Sequence, residues 1–132
     1  MGLRWYSTVI DSRDHRALAA WWAETLDWQV SFEDGDEAVI IPKWLDEDNP
    51  GVPFERVGPG LVFVPVGDDK TVKNRLHIDL AAPLHESQVA HVDALIARGA
   101  TRADVGQGDD VNWVVLRDPE GNEFCVLSSR ES

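Results

Sequence analysis

The stretch PEGNEFC at residues 119–125 has a faint counterpart earlier in the chain, GPGLVFV at residues 58–64. Aligning the two places Phe63 on Phe124. The later copy begins inside the tetrapeptide DPEG at residues 118–121, which has proline second and glycine fourth, as a type I turn prefers. Both copies therefore predict a turn that leads into a strand, and the chain carries two related segments.

The order of predicted elements repeats around this match. Aromatic and β-branched residues predict a strand over 3–11, and either Ser12 or Asp14 can cap a helix that follows it. Apolar residues at helical spacing predict a second helix over 83–98, with Gly99 placed as its C-terminal cap. A long loop is expected over residues 43–60. The other predicted strands span residues 28–32, 37–42, 61–66, 75–81, 100–105, 111–117 and 122–128.

This order, strand, helix and three strands followed by the same again, predicts an α+β fold of two βαβββ modules. Each module is a four-stranded sheet with one helix packed against it. A sheet covered on one face leaves its other face free to line a cavity. The length of 132 residues suits a single domain of this kind.

Composition and charge exclude several classes of function. The chain has 24 acidic and 12 basic residues, a net charge of −12, which opposes binding to nucleic acid or to an anionic membrane. Cys125 is the single cysteine, so no internal disulfide is possible and a cytoplasmic setting is expected. No apolar run approaches the roughly 20 residues of a membrane helix, and no signal peptide is evident at the N-terminus.

Four motifs point to a known family: LDW at 26–28, KNRLHIDL at 73–80, RGA at 98–100 and DPEGNEFC at 118–125. With them the chain resembles the glyoxalase/bleomycin-resistance/dioxygenase group, the vicinal oxygen chelate superfamily, and within it the small glyoxalase-like domain proteins. The resemblance implies one domain over 1–132, with module 1 at about 1–68 and module 2 at about 74–130. It also implies a cupped, barrel-like mixed sheet with a central cavity and the helices outside, and a homodimer.

Enzymes of that superfamily place metal ligands on the first and last strands of each module. Carried onto this chain, those positions are Ser7, approximately Val64, His77 and Cys125. Only His77 is an ordinary ligand there, because serine is a poor donor, valine has no donor atom and cysteine replaces the usual glutamate. One histidine and one thiol satisfy neither a hard divalent ion nor zinc. The resemblance therefore predicts no metal cofactor, and if a metal binds, His77 is the ligand expected to hold it.

His77 and Asp79 form a second possible basis for chemistry. Strand alternation places them on one face and Leu76, Ile78 and Leu80 on the other, so the apolar set should pack on a helix and the polar pair should face the cavity. A His-x-Asp pair is two thirds of an iron facial triad and needs one more histidine. His77 is equally consistent with a buried structural residue and with an acid/base group. The remaining histidines, which are predicted at or within helices, are His15, His85 and His91.

The remaining candidate residues would contact a ligand directly. Trp44 in the long loop and Trp113 on a strand are suited to stacking on a flat molecule. Arg75 ends a basic segment at residues 70–75 that either receives an anionic group or forms a solvated loop. Cys125, between Phe124 and Val126, is expected to be a small buried residue of the cavity wall rather than a nucleophile.

These observations favour a protein that binds a small, aromatic molecule in its cavity without a metal. The ligand-binding residues would then be Ser7, Trp44, Arg75, His77, Asp79, Trp113 and Cys125. Two alternatives stay open. One is a metal-dependent lyase or dioxygenase of the same superfamily, and the other is a metal-free enzyme in which His77 moves a proton. None of the three involves nucleic acid or a membrane.

Overall fold

The chain is seen in a computed structural model that describes residues 3–45, 57–103 and 112–131. It divides into two compact units, Met1–Asp68 and Asp69–Ser132. The elements of the first unit are β1 (Ser7–Ser12), α1 (His15–Leu26), β2 (Trp28–Glu33), β3 (Ala38–Pro42) and β4 (Gly60–Pro65). The elements of the second unit are β5 (Ile78–Leu80), α2 (Gln88–Ala97), β6 (Thr101–Arg102), β7 (Val114–Arg117) and β8 (Glu123–Val126). The predicted α+β fold of two βαβββ modules is confirmed.

The first unit is a four-stranded sheet in the order β1-β4-β3-β2. β1 and β4 run parallel, and the other pairs are antiparallel. Asp14 caps helix α1, and its side chain accepts a hydrogen bond from the backbone N–H of Ala17 at 3.1 Å. Its buried Trp22 and the buried Ile40 and Phe63 of the sheet belong to the core, so alternate strand residues point toward the helix side.

The second unit repeats this arrangement, with sheet order β5-β8-β7-β6 and a parallel pair formed by β5 and β8. Ser87 caps α2 by accepting from the backbone N–H of Ala90 at 3.2 Å. The helix ends before Gly99, whose φ of +110° lies in the left-handed region that glycine adopts without strain. The predicted turn at 118–121 is present, with the N–H of Gly121 donating to the carbonyl of Asp118 at 2.9 Å.

Several predicted limits differ from the structure, such as the helix predicted over 83–98, which spans Gln88–Ala97, and the strand predicted over 111–117, which begins at Val114. The strand predicted over 75–81 forms only at Ile78–Leu80, and Leu76 is 86% exposed instead of packing on a helix. Strand pairing begins only at Ile78, and the preceding segment is held at Asn74 by hydrogen bonds to the Glu123 side chain of β8. The long loop predicted over 43–60 lies mostly outside the described residues. In the part of the chain that the structure describes, neither α1 nor α2 has the length and apolar character required to cross a membrane.

Candidate functional site

His77 and Asp79 meet on one side of the second sheet. His77 directly precedes β5 and Asp79 lies within it, so the two-residue spacing places both side chains on the same face. The His77 Nε2 and Asp79 Oδ1 atoms are 3.1 Å apart, and both side chains are 49% exposed. The sequence pattern predicted this pairing. It gives an imidazole oriented by a carboxylate and accessible from outside the sheet.

Cys125 completes this group from the neighbouring strand. The pairing of β5 with β8 sets Cys125 opposite Asp79, so register alone makes the two residues neighbours. One donor atom from each of His77, Asp79 and Cys125 lies within 4.8 Å of the other two. Cys125 is buried, and burial raises the pKa of its thiol, helped by the charge of Asp79 and a hydrogen bond to it. In the absence of a metal the thiol is therefore a weak nucleophile.

A cavity of about 360 Å³ opens beside this group, within the second unit. Its apolar wall consists of Trp113, Val115, Phe124 and Leu127. Its polar wall consists of Lys73, Asn74, His77, Asp79, Glu123 and Cys125. The indole of Trp113 keeps 39% of its surface exposed, so part of the ring is available to a ligand. An aromatic wall facing a small polar cluster is the usual arrangement of a small-molecule site.

Glu123 is a buried carboxylate that fixes the segment leading to His77. It is 6% exposed, and its two oxygens lie 3.0 and 3.1 Å from the Lys70 ammonium. The backbone N–H of Asn74 donates to the same carboxylate at 3.0 Å, and the Asn74 amide also hydrogen-bonds to Glu123. Burial by itself would raise the pKa of Glu123, but the bonds from Lys70 and Asn74 outweigh it and lower the pKa. Glu123 therefore stays ionised and anchors residues 70–74 to β8.

The basic side chains of the segment at 70–75 have different surroundings. Lys70 is neutralised by Glu123, whereas Lys73 lines the cavity, and its charge lowers the pKa of the Cys125 thiol, against the larger upward effect of burial. The one hydrogen bond described for the Lys73 ammonium is a long one, 3.5 Å, to the carbonyl of Asn74. Arg75 is exposed and is not among the residues that line the cavity. Lys73 is thus the basic side chain on the wall of this cavity.

Of the predicted ligand-binding residues, the structure brings His77, Asp79, Trp113 and Cys125 together around this cavity. Ser7 and Trp44 belong to the first unit. Sequence reasoning missed Glu123 as part of this cavity, and it considered Lys73 and Asn74 only within the basic segment at 70–75. The available signal was an acid two residues before Cys125 on an otherwise apolar strand, which places both side chains on the cavity face.

At the corresponding strand positions, the first unit has one polar side chain, Asp11 as the counterpart of Asp79, and two valines. Val64, the counterpart of Cys125, pairs with Asp11, so the counterpart of His77 is Val9, two residues earlier. Ser7 lies opposite Gly60, nearer the beginning of the strand. Neither valine has a donor atom. Val64 therefore adds no donor to the four positions that the resemblance implies, whereas His77 and Cys125, two of those positions, lie beside Asp79 in the second unit.

A family model described as a glyoxalase-like domain matches residues 7–127. Among curated proteins there is no match. Similar solved structures include a glyoxalase/bleomycin resistance protein/dioxygenase family enzyme from Burkholderia phytofirmans PsJN, which is 17% identical. The match covers 96% of this chain and 98% of that enzyme's chain, with a TM-score of 0.64.

Two further solved structures have the same fold. The oxidase ChaP-H2 is 18% identical, covers 97% of this chain and 94% of its own, and has a TM-score of 0.63. A mutant of the fosfomycin resistance protein FosX from Listeria monocytogenes, complexed with Mn(II) and 1S,2S-dihydroxypropylphosphonic acid, is 14% identical. It covers 95% of this chain and 90% of its own, with a TM-score of 0.65. At these identities the likeness shows the fold alone.

Proposed function

Because the chain belongs to the glyoxalase-like domain family of the vicinal oxygen chelate superfamily, we propose that it binds a small, flat, aromatic molecule in the cavity of its second unit. The observation that carries this proposal is the pairing of a partly exposed Trp113 with the His77–Asp79 group across one cavity of about 360 Å³. That volume lies in the range of small-molecule sites, roughly 300–1,000 Å³.

Each wall of the cavity has a distinct part in this binding. The Trp113 indole would stack on the flat face of the ligand, while Val115 and Leu127 exclude water from it. Asp79 holds one ring nitrogen of His77, so the other is free to donate to or accept from a polar group of the ligand. Where the ligand carries an acidic proton, the same imidazole could accept it, which is the metal-free acid/base alternative.

Binding to Trp113 can be tested with 1-anilinonaphthalene-8-sulfonate, a flat aromatic probe that fluoresces when it leaves water. Trp113→Leu should weaken the probe's affinity about fivefold, since an aromatic stacking contact contributes about 1 kcal/mol beyond the buried area. The matched control is Trp5→Leu, which removes a more exposed tryptophan of the first unit and should leave the affinity unchanged. Equal affinities in the two variants would remove Trp113 from the site. Trp44→Leu tests the other predicted stacking residue in the same titration.

The second candidate function is that of a metal-dependent enzyme of the superfamily. It is favoured by one observation, the closeness of three donor atoms from His77, Asp79 and Cys125. The superfamily's four ligand positions do not all carry a donor, because Val64 has none, although His77 and Cys125 are two of the four. Any metal would have to be held by the group in the second unit, and a bound metal would supply Lewis-acid polarisation of a ligand oxygen there.

We also propose that the protein is a homodimer, which rests on the family resemblance. Light scattering should then give a mass of about twice the 14.7 kDa of one chain. The measurement should be made at several protein concentrations, because a weak dimer dissociates on dilution. A mass of one chain at every concentration would contradict the proposal without affecting the ligand site described above.

A further inference from the structure

We propose that His77, Asp79 and Cys125 together bind one zinc ion, through an imidazole nitrogen, a carboxylate oxygen and the thiolate sulfur. This inference goes beyond the proposed binding of an aromatic molecule and does not depend on it. It also departs from the metal-free cavity expected from the sequence, because that expectation did not count Cys125 as a third ligand beside the His77–Asp79 pair. His77 and Cys125 are two of the superfamily's ligand positions and Asp79 is not, and all three donors lie in one unit.

The geometry is close to what a tetrahedral ion requires. The three donor atoms lie within 4.8 Å of one another, and the His77–Asp79 pair is already at 3.1 Å. Zinc bonds of about 2.0–2.3 Å place two ligands of one ion roughly 3.5 Å apart. His77 and Asp79 are each half exposed, so their side chains have room to rotate toward a common centre with Cys125.

The donor set selects among metals. Magnesium, calcium and manganese take mostly oxygen ligands, and this group offers one carboxylate. Zinc accepts a mixture of nitrogen, sulfur and oxygen, and catalytic zinc sites use three protein ligands with the fourth position open. The carboxylate and the thiolate carry two negative charges between them, which balance the charge of the ion. When the thiolate binds zinc, the thiol proton passes to solvent.

Two of the three proposed ligands are placed on paired strands. Asp79 and Cys125 are opposite each other in the parallel β5–β8 pair, and Cys125 is buried with Ala103 and Val115 in a small cluster. The approach to His77 is fixed by the bonds that Glu123 makes to Asn74. Ligands on paired strands hold their positions better than ligands on loops. Since all three residues line the cavity, the open fourth position would face it.

Cobalt(II) is the probe of choice, because it replaces zinc and gives a thiolate-to-cobalt absorption band in the near ultraviolet. Cys125 is the single cysteine of the chain, so this band would report on one residue. Protein freed of metal by a chelator should develop the band at one cobalt per chain. Zinc should abolish it stoichiometrically, and manganese in the same excess should not. A wild-type protein that binds cobalt without the band, or binds none, overturns the proposal.

Variants separate the ligands from each other. Cys125→Ser should lose the near-ultraviolet band, and Asp79→Asn should keep a band but bind cobalt at least about tenfold more weakly. If Cys125→Ser fails to fold, Asp79→Asn still decides, because an unchanged affinity in that variant would exclude Asp79 as a ligand and overturn the three-ligand site. The matched control is His91→Ala, which removes an exposed histidine 2.7 Å from the carboxylate of Glu86. It should behave as wild type.

Different measurements would contradict the zinc site and the proposed aromatic-ligand site. Trp113→Leu should leave the cobalt band unchanged, because Trp113 contributes no metal donor. A protein that gives the band but binds no aromatic probe would keep the zinc site and lose the proposed ligand. A protein that binds the aromatic probe but gives no cobalt band would overturn the zinc site and leave the cavity as a metal-free binding site.

Discussion

Glu123→Gln is expected to lower the free energy of unfolding by about 3 kcal/mol, measured by urea denaturation at neutral pH. The substitution keeps the shape of the side chain but removes the charge that holds Lys70, whose side chain is only 20% exposed. It also turns one acceptor into a donor facing the ammonium and the backbone N–H of Asn74. Breaking one side of a buried, charge-assisted set of bonds typically has an effect of this size.

The matched control for Glu123→Gln is Asp27→Asn in the first unit. Asp27 also pairs with a lysine, Lys43, but the two side chains are 86% and 61% exposed. Asparagine also tolerates the left-handed backbone conformation that Asp27 adopts, with φ of 54°. An exposed pair contributes between nothing and about 1 kcal/mol, so the control should change the free energy of unfolding by less than about 1 kcal/mol. Equal effects in the two variants would mean that the Glu123 carboxylate has no special anchoring role.

The effect of Glu123→Gln should also depend on pH with a definite sign. The pKa of Glu123 is lowered from 4.5 in the folded protein, so its carboxylate stabilises the fold fully above 4.5. As the pH falls through the lowered pKa, the carboxylate becomes protonated in the folded state as well and the stabilisation is lost. The difference between wild type and variant should therefore be constant near neutrality and shrink in acid. A difference that grows in acid would contradict the lowered pKa.

The parts of the fold that the sequence predicts are those set by local interactions. Asp14, one of the two residues predicted as the cap, caps α1, and Gly99 and the turn at 118–121 stand where they were predicted. Neighbours within four residues decide these conformations. Strand limits were less well predicted. The strand predicted from residue 3 begins at Ser7, because its pairing with β4 begins there, opposite Gly60. That limit depends on a partner far along the chain, and no local pattern specifies it.

The candidate site also has features that the sequence predicts and features that it does not. The closeness of His77 to Asp79 follows from strand alternation alone. Cys125 joins them only through the register of two strands, and sequence reasoning could offer its approach to His77 only by family resemblance. Glu123 was missed altogether, because its bonds reach Lys70 and Asn74 across 53 and 49 residues. Contacts at such separations depend on the folded sheet, and a single sequence does not reveal them.

Asp118→Ala should be about as destabilising as Glu123→Gln, lowering the free energy of unfolding by about 3 kcal/mol. Asp118 is 3% exposed, and its Oδ1 accepts from the backbone N–H groups of Glu120 at 2.9 Å and Asn122 at 3.0 Å. The Asn122 amide donates to both carboxylate oxygens. Alanine would leave these donors without their acceptor in the turn that leads into β8, and each unsatisfied buried donor costs about 1–3 kcal/mol.

Asp34→Ala provides the comparison for Asp118→Ala, because Asp34 forms a similar turn in the first unit. Its Oδ1 accepts from the backbone N–H groups of Asp36 at 2.8 Å and Glu37 at 3.0 Å, but the turn is open to solvent. Water can replace the lost acceptor there, so a loss of about 1 kcal/mol is expected. Urea denaturation of both variants measures the difference. If Asp34→Ala is as destabilising as Asp118→Ala, burial does not control the energy of these turns.

Loss of Asp118 would also disturb the first residues of β8, including Glu123, which lines the cavity. Asp118→Ala should therefore weaken the binding of 1-anilinonaphthalene-8-sulfonate, and Asp34→Ala should not.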